Sequence, residues 1–187
     1  MNADELDWNR TLREQWEFHW NHQLRARLDG LTDDEYFWSP VPDAWSRHGF
    51  PGPDPAGFTT IAWRLDHVIV DVLAARNAAH FGAALGSRET WEYADGAATA
   101  LDQLQTQLDS WLAGVSGLDD AALRVPVGAK EPYPDAPMAD LVLHIHRELI
   151  HHLSEVCLLR DLYAHTNPAA HTNPATHANP APNGATR

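Results

Sequence analysis

Residues 141–163 read LVLHIHRELIHHLSEVCLLRDLY, and this stretch decides the fold. Its apolar residues recur at helical spacing, with Leu141, Ile145 and Leu159 on one face. Glu148 and His152 share that face, one turn apart at an angular offset of about 40°. A carboxylate inside an apolar stripe is costly unless a cation meets it. A metal ion supplies such a cation, and a third ligand must then come from another segment. His67 is the candidate.

Three further segments have helical periodicity. Residues 4–28 place Trp8, Leu12, Trp16, Trp20 and Leu24 at i+4 steps, a core stripe that stops at Gly30. A second helix opens at Thr59 or Thr60 and runs to Phe81, ending at Gly82. Ile61, Leu65, Val68 and Val72 form one strip on it, and His67 falls beside a second strip of Trp63, Val70 and Ala74. The third starts near Asp95, a suitable N-cap, and ends around Gly114 and Gly117. The fourth opens around residues 135–137, with proline in its first turn, and reaches Tyr163. Four amphipathic helices without a strand pattern predict an all-α fold, an antiparallel four-helix bundle over residues 1–163.

The connections differ in character. The loop between the first two helices, LTDDEYFWSPVPDAWSRHGFPGPDPAGF, is long and rich in proline, glycine and tryptophan. Thr32 is placed to cap a short turn there. Trp38, Trp45 and Arg47 either shape a substrate mouth or pack as a lid over the core. A brief helix is expected near residues 119–123. Residues 164–187 repeat His, Asn and Pro with a period near six and read as a low-complexity, disordered tail. Its His165, His171 and His177 would pay heavily in ordering entropy to hold a metal, which favours an inert tail.

Composition narrows the function classes. A net charge of −13 over 187 residues opposes nucleic acid and anionic membrane surfaces as partners. No segment approaches the roughly 18 apolar residues of a membrane span. The polar, acidic start MNADELDWNRT has no signal-peptide pattern, so cytoplasmic residence is the expectation. The single cysteine, Cys157, lies about 180° around the helix from Glu148 and reads as a structural thiol. Lysine occurs once, as Lys130, among 13 basic residues.

Imidazole and carboxylate suit zinc and its neighbours, and three protein ligands leave positions open, as in catalytic rather than structural sites. Spacing alone leaves alternatives: a satisfied core histidine for His67, and for Glu148 an arginine ion pair, Arg64 among the candidates. Two known motifs fail. A His-Glu-x-x-His helix would need histidine where Arg147 stands, and a di-iron bundle would need a second Glu-x-x-His beside Glu148 and His151. His144 is a rival or supporting ligand, whereas His146 and His151 read as surface or interface residues.

The segments WSPVPDAWS, FTTIAWRLDHV and HIHRELIHHLSEVCLLRDLY together resemble the DinB/YfiT-like superfamily over residues 4–163. They are most similar to the mycothiol-dependent group related to maleylpyruvate isomerase. The resemblance implies a divalent metal, zinc foremost, with nickel, manganese or iron also compatible. It implies His67 from the second helix and Glu148 with His152 from the fourth as ligands, and water in the remaining position. Many members have histidine where this chain has Glu148, and glutamate there resembles the mycothiol-dependent pattern. After the last ligand the chain departs from the common His-Arg-Gly-Gln run and reads His152-Leu153-Ser154-Glu155.

The function so implied is a metal-dependent thiol transferase-type enzyme. Mycothiol is the co-substrate, and the metal activates its thiolate against an electrophilic small molecule. Glu155 and Asp66 are candidates for supporting or proton-transfer roles. A non-catalytic metal- or ligand-binding module and a metal-dependent hydrolase are the alternatives. Family members occur as monomers and as homodimers, and the sequence does not choose between them.

Overall fold

The computed structural model describes residues 6–42, 44–45, 57–84 and 90–167. Helix α1 (8–28) begins where Asp7 caps the chain, its carboxylate accepting the Arg10 N–H at 2.8 Å. The expected start at Asp4 lies outside the described residues. Strict i+4 spacing drifts about 40° per step around a helix of 3.6 residues per turn. The structure absorbs part of this drift in a π-helical turn, Trp20–Leu24, closed by the Arg25 N–H donating to the Trp20 carbonyl. Trp16, Trp20 and Leu24 therefore stay buried, while Trp8 at the start of the stripe is exposed.

A short α2 (Asp33–Tyr36) follows, held by the expected cap: the Thr32 hydroxyl accepts the Glu35 N–H, and Glu35 reaches back to the Thr32 N–H. Helix α3 (61–81) is capped by Thr60, whose hydroxyl accepts the Trp63 N–H, and stops at Gly82 with φ 74°. Its middle, His67–Ala74, is π-helical and buries Val68, Ile69, Val70, Val72, Leu73 and Ala74. This helix is apolar over most of its circumference, more than two strips predict.

Helix α4 (Ala97–Ser116) is not capped by Asp95. The Ala97 N–H instead donates to Asp33 Oδ1 at 2.8 Å, so α2 supplies the cap from 64 residues away. The brief helix expected near 119–123 is the single turn α5 (Asp120–Leu123), capped by Asp119. Helix α6 (Met138–Thr166) runs past Tyr163 because the Asn167 N–H and side-chain amide both donate to the Tyr163 carbonyl. Residues 168–187, which include His171 and His177, lie outside the described residues, as does Arg47.

The all-α expectation is met. Among the described residues there are no strands, only isolated bridges such as Trp45 to Thr59. Helix α1 packs on α4 and α6, and α3 packs on the same two, which closes a ring of four around one apolar cluster. None of these helices is long and apolar enough to cross a membrane. Cys157 is buried, and burial pushes its thiol up, as a structural thiol requires.

One polar staple ties the ends of these helices. Arg160 on α6 donates to Glu35 Oε1 at 2.8 Å and to the carbonyls of Arg27 and Asp29 at the end of α1. Burial pushes the Glu35 carboxyl up, but Arg160 and Thr32 outweigh it and hold Glu35 below the usual carboxylate range. A depressed carboxyl stabilises the fold above its unfolded pKa, and this contribution fades as pH falls through the folded value. Glu35→Gln should therefore destabilise by roughly 2 kcal/mol at neutral pH, the scale of a lost charged hydrogen bond. In urea unfolding the deficit should shrink in acid below the carboxylate range. An equal deficit at both pH values would contradict this account.

Candidate metal centre

His67 sits where α3 turns π-helical, and π-helical turns recur at functional sites. Its ring stacks on Trp63 with centroids 5.4 Å apart, so the imidazole plane is fixed by a flat neighbour one turn earlier. His67 Nδ1 lies 2.8 Å from Asp71 Oδ2. An ionised carboxylate only accepts, so Nδ1 carries the proton and the Nε2 lone pair is left for other work.

His152 on α6 meets this ring edge-on, centroids 4.8 Å apart. Its Nδ1 is likewise held by a carboxylate, Glu155 Oε2 at 3.0 Å, and its Nε2 faces Glu148 Oε2 at 3.5 Å. The donor atoms of His67, Glu148 and His152 all lie within 4.8 Å of one another. The three predicted ligands are thus brought together, although two helices far apart in sequence supply them.

The side chains are partly sheltered: His152 is 12% exposed and Glu148 26%. Burial, followed by the nearby charge of His67, pushes His152 down, against the pull of Glu155. The imidazole is therefore neutral near pH 7, the form that coordinates a cation.

The donor set fits a divalent transition metal. Two imidazoles and one carboxylate converge, and each imidazole is oriented by a carboxylate on its far nitrogen, the usual arrangement behind metal-bound histidines. Glu148 is not paired to Arg64. Arg64 pairs with Glu155, while among the described residues Glu148 Oε1 meets His144 Nδ1 at 3.6 Å and the exposed Arg147 at 3.9 Å. The arginine-pair alternative for Glu148 is thus a weak contact at most.

Other expected residues sort as follows. His144 lies beside Glu148 as a supporting neighbour, hydrogen-bonded to Arg147 at 2.7 Å. His151 is exposed, as expected. His146 is a correction: it is buried, its ring 6.0 Å from Trp16 and 6.4 Å from Trp111. Burial pushes it down to about 4, against a hydrogen bond to the Leu12 backbone, so it is a neutral core residue. Asp66 is buried and does not belong to this donor group. Trp45 reaches the site's edge, 6.2 Å from Trp63, whereas Trp38 packs on Tyr163. Asp71 escaped the sequence reading, although its i+4 relation to His67 was visible.

The fold and site define an all-α protein whose four long helices bring a two-histidine, one-carboxylate donor set together at the α3–α6 seam. The chain belongs to the DinB superfamily, whose family model matches residues 15–156 and so spans all three donors. No curated protein and no solved structure matches the chain at a significant level.

Removing the carboxylate behind His67 tests the donor set. Asp71→Asn should weaken zinc affinity about 10–100-fold, the usual scale for such partners, with helix content unchanged. Unaltered affinity in a competition titration would remove Asp71 from the site.

Proposed function

We propose that this protein is a metal-dependent thiol transferase-type enzyme with mycothiol as its thiol. The observation that carries the reading is Glu148 standing with two histidines in the donor group, where many members have histidine. A divalent metal, zinc foremost, supplies one piece of chemistry there: bound in an open position, a thiol loses its proton near neutral pH.

The chain's own residues do the rest. Asp71 and Glu155 keep the proton on each Nδ1 and aim each Nε2 inward. The carboxylate of Glu148 leaves the centre less positive than a third imidazole would, which moderates thiol acidification. Trp63 walls one side of His67 against water.

A cavity of about 610 Å³ is lined in part by His144 and Arg147, the neighbours of Glu148 Oε1, and offers room for a small-molecule electrophile. Arg76, Tyr133, His144 and Arg147 are among its lining. Glu148 links the two regions through its contacts, with Oε2 facing His152 and Oε1 facing His144 and Arg147. Arg76, in the same lining, donates to the backbone carbonyl of Asp71, whose side chain holds His67. The charge of −13 sets the surface against nucleic acid and anionic membranes, and the proposed reaction needs neither. A cytoplasmic setting supplies the reduced thiol.

Metal-loaded protein incubated with mycothiol and monochlorobimane should form conjugate above the uncatalysed background. His152→Ala should abolish that rate. No rate for the wild type across several thiols and electrophiles would leave a non-catalytic binding module.

A further inference from the structure

Glu155 holds more partners than one metal centre requires. Its Oε2 contacts Arg64 and lies 3.0 Å from His152 Nδ1, while its Oε1 lies 3.4 Å from His151 Nε2. Donor atoms of His151, His152 and Glu155 all fall within 4.8 Å of one another. This second group has the same composition as the first, two imidazoles and a carboxylate, and shares His152 with it. The first is approached at His152 Nε2 and the second at His152 Nδ1.

A cation already stands at the second group. Arg64 Nη1 lies 3.5 Å from His152 Nδ1 and contacts Glu155. The arginine is held there at a cost. Its side chain is 19% exposed, and its Nε is buried without a hydrogen-bond partner among the described residues. Without the guanidinium, Glu155 would keep a half-buried negative charge beside two nitrogen donors, the conditions under which a divalent ion binds.

We propose that Arg64 is the resident cation of a second metal position formed by His151, His152 and Glu155, and that it keeps the centre mononuclear. Arg64 is thus a positioning residue. It fixes Glu155, which fixes His152, and its charge denies the neighbouring position to a second ion. When Arg64 is absent, a second ion reaches His152 through Nδ1, and the proton of that nitrogen leaves to solvent. The inference rests on the metal-centre reading only through the shared His152.

The test is zinc stoichiometry, measured on the full chain without an affinity tag by elemental analysis after gel filtration. Arg64→Met keeps the length of the side chain and removes its charge. It should hold one more zinc per chain than wild type, and Arg64→Lys should show no gain. The added ion should disappear in Arg64→Met/Glu155→Gln, which leaves the tail histidines untouched, and should persist in Arg64→Met/His67→Ala. Circular dichroism checks folding, and Arg64→Gln replaces Arg64→Met if the latter does not fold. Equal stoichiometry in wild type and the neutral variants overturns the proposal, as does an added ion that survives Glu155→Gln. If wild type holds no zinc, the main-centre reading fails, while the difference between wild type and Arg64→Met still decides this one.

Discussion

Two imidazoles from different helices meet edge-on, each with its outer nitrogen held by a carboxylate one turn along its own helix. That arrangement at His67 and His152 sets the demands on the rest of the molecule. It requires α3 and α6 to be neighbours in a fixed rotation, since a small turn of either helix would part the rings. The apolar cluster supplies this rigidity. Leu65, Val68, Ile69 and Leu73 on α3 are fully buried, as are Ile145, Leu149, Leu153 and Val156 on α6, and these residues flank the ligands on both sides. Packed interiors tolerate little rotation, so the ligands inherit the precision of the core.

The far ends of the helices are governed separately. Arg160, Glu35 and the final carbonyls of α1 join α6 to the start of the long loop, and Asp33 on the same short turn caps α4. One turn of helix, Asp33–Tyr36, thereby gathers three of the four long helices. The loop next pairs Trp45 with Phe58 and Thr60 and returns the chain to α3 with Trp45 against Trp63. Irregular sequence here is used to place an aromatic wall beside a ligand.

Much of this was legible in the sequence because helical period is a local property. It placed Glu148 and His152 on one face, and Thr32, Thr60, Gly82 and Asp119 at helix ends. What the period does not encode is rotation between helices. Spacing allows Arg64 as a partner for Glu148, but the α3–α6 contact sets it two helical turns further along, on Glu155. His146 reads as a surface or interface residue on its own helix, yet Trp16 and Trp111 arrive from α1 and α4 to cover it. Asp95 lost the capping of α4 to Asp33 for the same reason, because a cap can come from any chain segment that packs nearby. Asp71 is within reach of the spacing argument, since i+4 places it beside His67 on one helical face.

The central claim is that His67, Glu148 and His152 jointly hold a divalent ion. The most direct measurement is an anomalous-difference map at the zinc edge from crystals grown with zinc. The account predicts a peak between α3 and α6, about 2.0–2.2 Å from one nitrogen of each histidine and one oxygen of Glu148. A map with no peak there, or with zinc held only by histidines of the tail, would contradict it.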